Sequence, residues 1–287
     1  MTEKLTKVKF TNLDKILYPE KKITKAQIIE YYIRMAPRML ALLANRPAVL
    51  TRFPEGVDKE GFYEKDAPSG TPQWVKIFKR YSESAKRELA YILCNDLDTL
   101  IWLGNLAALE IHLTLSKVDS FESPDLVLFD IDPEPPLGFD DVIGAVFLLR
   151  EKLDALGLHP YIKTSGKKGM HIVIPVKEGY TFQQTREFAH EIGKQMAEES
   201  ETIVSEFPRS REPGTIFIDY LQNSHGRTMI CPYSLRATPQ ATVSTPLEWS
   251  EVRKGIKPED FNLFSIVKRD KNPWKGMLKD RQRLEVS

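Results

Sequence analysis

Apolar residues recur at helical spacing through Ile28, Ile29, Tyr32, Ile33, Ala36, Met39, Leu40 and Leu43, behind a Thr24/Gln27 capping box, which predicts a helix over residues 25–44. Just upstream, Asn12-Leu13-Asp14-Lys15-Ile16-Leu17-Tyr18-Pro19 reads as a short helical turn stopped by its proline. Strand-like runs follow at residues 47–53 and 62–65, then two strands between Trp74 and Leu93, joined by a polar, basic link over residues 79–87. A second helix is expected from Asp96 to about Leu109, with Trp102 in the core, and Glu110-Ile111-His112-Leu113 comes after it.

The rhythm then changes to strand, helix, strand, turn, strand. Residues 125–133 form an apolar run ending in Asp130-Ile131-Asp132-Pro133, and residues 139–156 are amphipathic and closed by Gly157. Residues 161–164 and 171–175 are strand-like around the turn Ser165-Gly166-Lys167-Lys168-Gly169. A helix over 181–199, a basic turn-rich loop at 208–214, and strands at 215–220 and 227–232 complete this portion. From Trp249 onward, short amphipathic pieces alternate with Lys268, Arg269, Lys271, Lys275 and Lys279. This pattern predicts an α/β (α+β) protein with a central mixed β-sheet and flanking helices.

Composition adds few restrictions. At 287 residues and 41% hydrophobic, the chain can bury one large core or two small ones. Its 41 basic and 40 acidic residues leave a formal charge of +1, so any nucleic-acid contact would need a local basic surface. Cys94 and Cys231 stand far apart, which argues against a zinc module or a disulfide framework and fits a reducing compartment; both are expected as core thiols. No apolar run is long enough for a membrane span, and residues 1–10 are too charged for a signal peptide, so no membrane and a cytoplasmic location are expected.

The candidate chemistry begins with the two carboxylates. Side chains alternate along a strand, so Asp130 and Asp132 share a face about 6–7 Å apart, a spacing that suits oxygen ligands of Mg²⁺ or Mn²⁺. Asp-x-Asp-Pro is also ordinary turn chemistry, and the pair alone favours that reading. The turn at 165–169 offers two glycines for an amide nest, a hydroxyl on Ser165 and a charge on Lys168, with His171 at the base of the returning strand. Should the strand ending in Asp219 pair beside that of Asp130, three carboxylates would converge, enough for two metal ions. Lys15 and Lys25 flank the start of the first helix, whose free amides would make a phosphate site; two solvated surface lysines are the competing reading. The adjacent rings Phe62 and Tyr63 face opposite ways, so one can pack in the core while the other is exposed and able to stack on a base; a half-buried hairpin is the equal alternative. His112 reads by default as a structural imidazole.

The ordered set Asp130-Ile131-Asp132, Ser165 to His171, and Ile218-Asp219 resembles the three motifs of archaeo-eukaryotic primases. More specifically, Asn12 to Pro19, Phe62-Tyr63-Glu64-Lys65, Leu106 to His112 and Leu128 to Pro133 resemble the polymerase domain of bacterial ligase D, and the likeness covers nearly the whole chain. It implies a primase-like fold with a palm/RRM-like core: a single domain over 1–287, with an N-terminal α/β portion (1–120), a catalytic core (121–245) and a C-terminal brace (246–287). It also implies template-directed nucleotidyl transfer that fills gaps in non-homologous end joining, with a preference for ribonucleotides and two ions of Mn²⁺ or Mg²⁺.

By that resemblance Asp130, Asp132 and Asp219 hold the metals, and Ser165, Lys168 and His171 hold the triphosphate with His112, Gln222 and Arg236. Lys15, Lys25 and Asn12 would grip a downstream 5′ phosphate. Phe62 or Tyr63 would stack on the template near Arg52, Tyr63 standing where the family more often has a second phenylalanine. Implied partners are gapped or broken DNA, NTP or dNTP, a Ku-like end-binding protein and a separate ligase, for which 287 residues leave no room. Implied location is the prokaryotic cytoplasm, at the nucleoid. Two alternatives are the small catalytic subunit of a replicative primase, which commonly carries a zinc-binding cysteine cluster, and a noncatalytic DNA-end-binding module.

Overall fold

A computed structural model of the chain describes residues 6–82, 85–206 and 212–285. Most of the basic loop expected at 208–214, and Glu83 and Ser84 of the link expected at 79–87, lie outside the described residues. The fold divides into two units: the chain up to Leu113 with residues 230–243 and 262–269, and residues 114–229 with 244–261 and the chain from Asp270.

The first unit opens with a hairpin, β1 (Ile16–Tyr18) against β2 (Ile23–Thr24). This replaces the helical turn expected at 12–19. Asn12 adopts a left-handed φ of 50°, Leu17 and Tyr18 are fully buried, and pairing with β2 satisfies backbone groups that so short a helix would leave open. Helix α1 (Lys25–Leu43) starts where expected: the Thr24 hydroxyl accepts from Gln27 N, and Gln27 Oε1 accepts from Thr24 N at 2.9 Å. An antiparallel sheet follows, built from β3 (Pro47–Arg52), β4 (Phe62–Glu64), β5 (Lys76–Ser82), β6 (Arg87–Leu93) and β7 (Ala108–Thr114), in the order β7-β3-β6-β5 with β4 also beside β3.

Two boundaries differ from expectation in this unit. Pairing of β5 with β6 continues to Ser82↔Arg87, so Lys79, Arg80 and Tyr81 are strand residues and not part of a loop. Helix α2 (Leu97–Asn105), capped by Asp96, ends four residues before Leu109, because Ala107 turns the chain at φ 57° and Ala108 enters β7.

In the second unit, β8 (Leu126–Pro133), α3 (Phe139–Ala155), β9 (Tyr161–Thr164), β10 (Met170–Pro175), α4 (Phe182–Glu199), β11 (Ile203–Val204) and β12 (Ile216–Asp219) precede β13 (Thr228–Ile230), where the chain leaves the unit, and β14 (Pro246–Leu247). Helix α3 ends in a left-handed Gly157, with Gly157 N bonded to Asp154 O and Leu158 N to Leu153 O, the Schellman pattern. The sheet order is β11-β12-β8-β10-β9-β14, antiparallel except for β11 with β12. The run β8-α3-β9-β10-α4-β12, with spatial order β12-β8-β10-β9, is the split β-α-β arrangement of ferredoxin-like and RRM-like cores.

Alternation along these strands separates core from chemistry. Val127, Phe129, Ile131, Ile172, Ile174 and Ile218 join Val146 and Leu149 of α3 and Phe188 and Ile192 of α4 in one core. Each such side chain contributes roughly 1.5–3 kcal/mol when fully buried. A one-residue slip of β8 would turn Asp130 and Asp132 into that core, so the apolar face fixes where the carboxylates point.

Candidate functional site

Register places the charged residues of the second sheet in a row. Asp219 on β12 lies opposite Asp130 on β8, which lies opposite His171 on β10, which lies opposite Lys163 on β9. Opposite residues in antiparallel strands share a face, and Asp132 joins them two residues along β8. Asp130 Oδ1 lies 3.1 Å from His171 Nε2. Asp219 Oδ1 accepts from Leu221 N at 3.0 Å and Oδ2 from Gln222 Nε2 at 3.2 Å, which brings Gln222 to this group. Lys168 Nζ lies 4.0 Å from Asp132 Oδ2 and 3.1 Å from Glu134 Oε1.

The turn between β9 and β10 is closed on itself. Ser165 Oγ accepts from Lys167 N and Gly169 N, both at 3.2 Å, and Ser165 N donates to Gly169 O at 2.9 Å. Those two amides are therefore spent on the hydroxyl, where an open nest was expected. Gly169 is required by close approach: a Cβ there would run into Asp132 Oδ1 and the Ile131 carbonyl. Lys163 and Glu134 have no counterpart in the sequence reading. The signal for Lys163 was strand parity with His171, readable only once β9 and β10 are paired. Its side chain is fully buried, with Nζ donating to Ser244 Oγ at 2.6 Å.

Three carboxylates on one face, with a turn held tightly against Asp132, suit a hard divalent cation by donor type and by strand placement. Among the described residues, no three His, Cys, Asp or Glu side chains are arranged to hold a metal ion; each carboxylate is turned toward a protein donor. The backbone thus positions the donors, and carboxylate rotation would be needed to direct them at an ion.

The other predicted residues lie in the first unit. Arg236 Nε donates to Glu110 Oε1 at 3.0 Å, and His112 Nε2 lies 3.9 Å from Glu110 Oε2. His112 and Arg236, distant in sequence, thereby meet one carboxylate that sequence reasoning missed.

Lys15, Lys25 and Arg52 form a second group. Lys25 is buried at the start of α1, with Nζ donating to Thr11 O at 3.0 Å. Its pKa is lowered from 10.5, first by burial and then by the charges of Lys15 and Arg52. Lys15 pairs with Glu55 at 2.8 Å and Arg52 with Glu64 at 3.0 Å. Arg52 Nε also donates to Leu106 O at 3.1 Å. The expected free amides at the helix start are not free: Lys25 N donates to Lys15 O, Ala26 N to Leu13 O, and Gln27 N to Thr24 Oγ1. Side chains alone remain to meet an anion here. Asn12 is exposed next to Thr11, whose N–H donates to Asn105 Oδ1 at 3.0 Å.

Phe62 and Tyr63 are 58% and 57% exposed, which corrects the expectation that one is buried. Among the described residues, strand β4 pairs with β3. Arg52 lies opposite Phe62 and Thr51 opposite Tyr63, so Phe62 shares a face with Arg52. Cys94 and Cys231 are buried as free thiols, as expected.

A family model described as the primase-polymerase domain of LigD matches residues 24–274. The chain is 34% identical over 267 residues to the bifunctional non-homologous end joining protein LigD of Bacillus subtilis (strain 168), covering 92% of this chain and 43% of that protein. It is 31% identical over 253 residues to the multifunctional non-homologous end joining protein LigD of Mycolicibacterium smegmatis, covering 87% and 33%. The polymerase domain of Mycobacterium tuberculosis ligase D, solved in complex with DNA, superposes with a TM-score of 0.88 at 28% identity, over 96% of this chain and 100% of that one. The chain spans less than half the length of these two curated relatives.

Proposed function

The chain belongs to the LigD primase-polymerase domain family, and from that membership we propose that it performs template-directed nucleotidyl transfer at broken or gapped DNA in non-homologous end joining. The observation that carries this reading is the row Asp219, Asp130 and His171, with Asp132 beside it and the Ser165–Gly169 turn above. Asp130, Asp132 and Asp219 would hold divalent metal ions, Mn²⁺ or Mg²⁺. When bound, such ions supply Lewis-acid activation of a primer 3′ hydroxyl and neutralise charge on the leaving pyrophosphate. Ser165, Lys168, His171 and Gln222 orient the triphosphate. Lys168 changes partner from Glu134 and Asp132 to phosphate oxygens, a switch between acceptors of like charge. Arg236 and His112 of the first unit are proposed, by family membership, as donors to the incoming nucleotide. Positioning and electrostatic complementarity therefore carry the rate enhancement.

Lys15, Lys25 and Arg52 are mutually repelling cations on one unit, and a 5′ phosphate would relieve that repulsion. Phe62 is the favoured ring for stacking on a template base, because it shares the Arg52 face. A Ku-like end-binding protein and a ligase activity are the functional partners, ribonucleotides the preferred substrates, and the prokaryotic cytoplasm at the nucleoid the location. No helix among the described residues is long and apolar enough to cross a membrane.

A replicative primase subunit with a zinc-binding cysteine cluster is disfavoured by two separated cysteines. A noncatalytic end-binding module would have no use for carboxylates aligned across paired strands. Extension on one-nucleotide-gapped DNA, with ribo- or deoxynucleotides and phosphate or hydroxyl downstream ends, tests the proposal. Template-dependent addition that is stronger with ribonucleotides and with phosphate ends is expected, and no addition under any condition would refute it.

A further inference from the structure

We propose that Glu110 is a positioning residue that presets Arg236 and His112 for the incoming nucleotide. This rests on the reading of those two residues as triphosphate contacts.

Glu110 is nearly buried on β7, and one of its oxygens carries two bonds to the same distant segment. Oε1 accepts from Arg236 Nε at 3.0 Å and from Ala237 N at 3.1 Å. Both the side chain and the backbone at Arg236 are thus registered to β7. The segment is gripped at two further points: Arg236 N donates to Thr242 O at 2.8 Å, and the Tyr18 hydroxyl donates to Arg236 O at 2.9 Å. Burial raises the Tyr18 pKa well above its ordinary value, so the phenol remains a donor.

Anchoring a guanidinium through Nε fixes the plane of its fork and so the direction of its terminal nitrogens. The second carboxylate oxygen, Oε2, lies 3.9 Å from His112 Nε2, too long for a hydrogen bond but within electrostatic reach. His112 and Glu110 are two apart on β7 and share a face, so one carboxylate sets two nucleotide-facing groups relative to one strand. A purely structural role would be filled as well by packed apolar side chains, since a buried ion pair rarely stabilises more than they do. A preset arginine needs the charge and the two acceptor directions.

The test is a double-mutant cycle read by nucleotide KM and kcat on gapped DNA, with the thermal midpoint of every variant recorded. Arg236→Ala should raise KM at least about tenfold, and Glu110→Ala about five- to tenfold with kcat within about threefold, the signature of lost binding rather than lost chemistry. In the Arg236→Ala background, Glu110→Ala should add less than about twofold, because the group it positions is gone. Glu110→Gln, which keeps shape and one acceptor, goes through the same cycle should the alanine variant not fold. Its smaller KM rise must also vanish in that background. Multiplying effects, or an unchanged KM in folded Glu110 variants while Arg236→Ala raises it, would overturn this inference alone. An unchanged KM in Arg236→Ala would overturn the nucleotide assignment itself.

Discussion

The carboxylate row of the second unit and the cation group of the first hold like charges together by different means. Asp130, Asp132 and Asp219 sit on paired strands whose other face is apolar core, so register aligns their backbone positions, and bonds such as His171 to Asp130 and Gln222 to Asp219 only orient the side chains. Lys15, Lys25 and Arg52 sit on a turn, a helix start and a strand end. They are held by individual bonds: Lys15 to Glu55, Lys25 to Thr11 O, Arg52 to Glu64 and Leu106 O. On the proposed assignment, reaction chemistry, which needs tight placement, would fall to the element that cannot slip, and end recognition, which needs only a charge of the right sign nearby, to the separate tethers.

The largest effect should come from breaking the row. Asp132→Ala is expected to lower extension at least about a thousandfold, as for loss of a group acting in the transition state, with gapped-DNA affinity within about twofold. Retained extension in clean protein would remove Asp132 from the chemistry. Breaking the tethered group should be milder and conditional. Lys15→Ala with Lys25→Ala should weaken binding about tenfold when the downstream end carries a 5′ phosphate, and hardly at all with a hydroxyl end, as expected for loss of charge-assisted bonds to one anion. Equal losses with both ends would reduce the pair to a general basic surface.

The pH dependence sharpens the same contrast. Lys25 titrates below its ordinary 10.5 in the folded chain, so between the lowered value and 10.5 the unfolded chain holds the extra proton and stability from this group rises with pH. Phosphate binding favours the protonated form, so the preference for phosphate ends should fall as pH rises through that window. Lys25→Arg, which stays charged, should abolish the fall; a decline that persists in this variant would place the titrating group elsewhere. The smallest effect concerns the two rings. Phe62→Ala should reduce templated addition several-fold, in line with about 1–3 kcal/mol per stacked base, and more than Tyr63→Ala does. The reverse order would put the template on the other face of β4.

The second unit was largely legible because its signals are local and periodic. Strand parity put Asp130 and Asp132 on one face, Gly157 closed α3, and glycines marked the β9–β10 turn. The first unit was read less well because its decisive contacts are long-range. Tyr18 before Pro19 gave no hint that β2 would pair with β1, and nothing near Lys25 showed that its helix amides would be taken by Leu13 and Lys15 carbonyls. Exposure of both Phe62 and Tyr63 means that neither face of β4 is buried there, a property of tertiary packing rather than of the segment. Glu110 and Arg236 are joined across a long stretch of chain, and the residues around Glu110 show only an apolar segment. Where charge is placed by periodicity, sequence shows it; where it is placed by a tether, pairing must be seen first.

The polar face of the second sheet is, on the proposed function, a hard-cation site. Titration of the wild-type chain and of Asp130→Asn with Asp132→Asn by Mn²⁺, in the presence of a nucleoside triphosphate and followed by electron paramagnetic resonance, tests it without relying on turnover. Protein-bound Mn²⁺ is expected in the wild type and should be lost in the double variant at an unchanged thermal midpoint. Equal binding by the two proteins would rule out Asp130 and Asp132 as ligands.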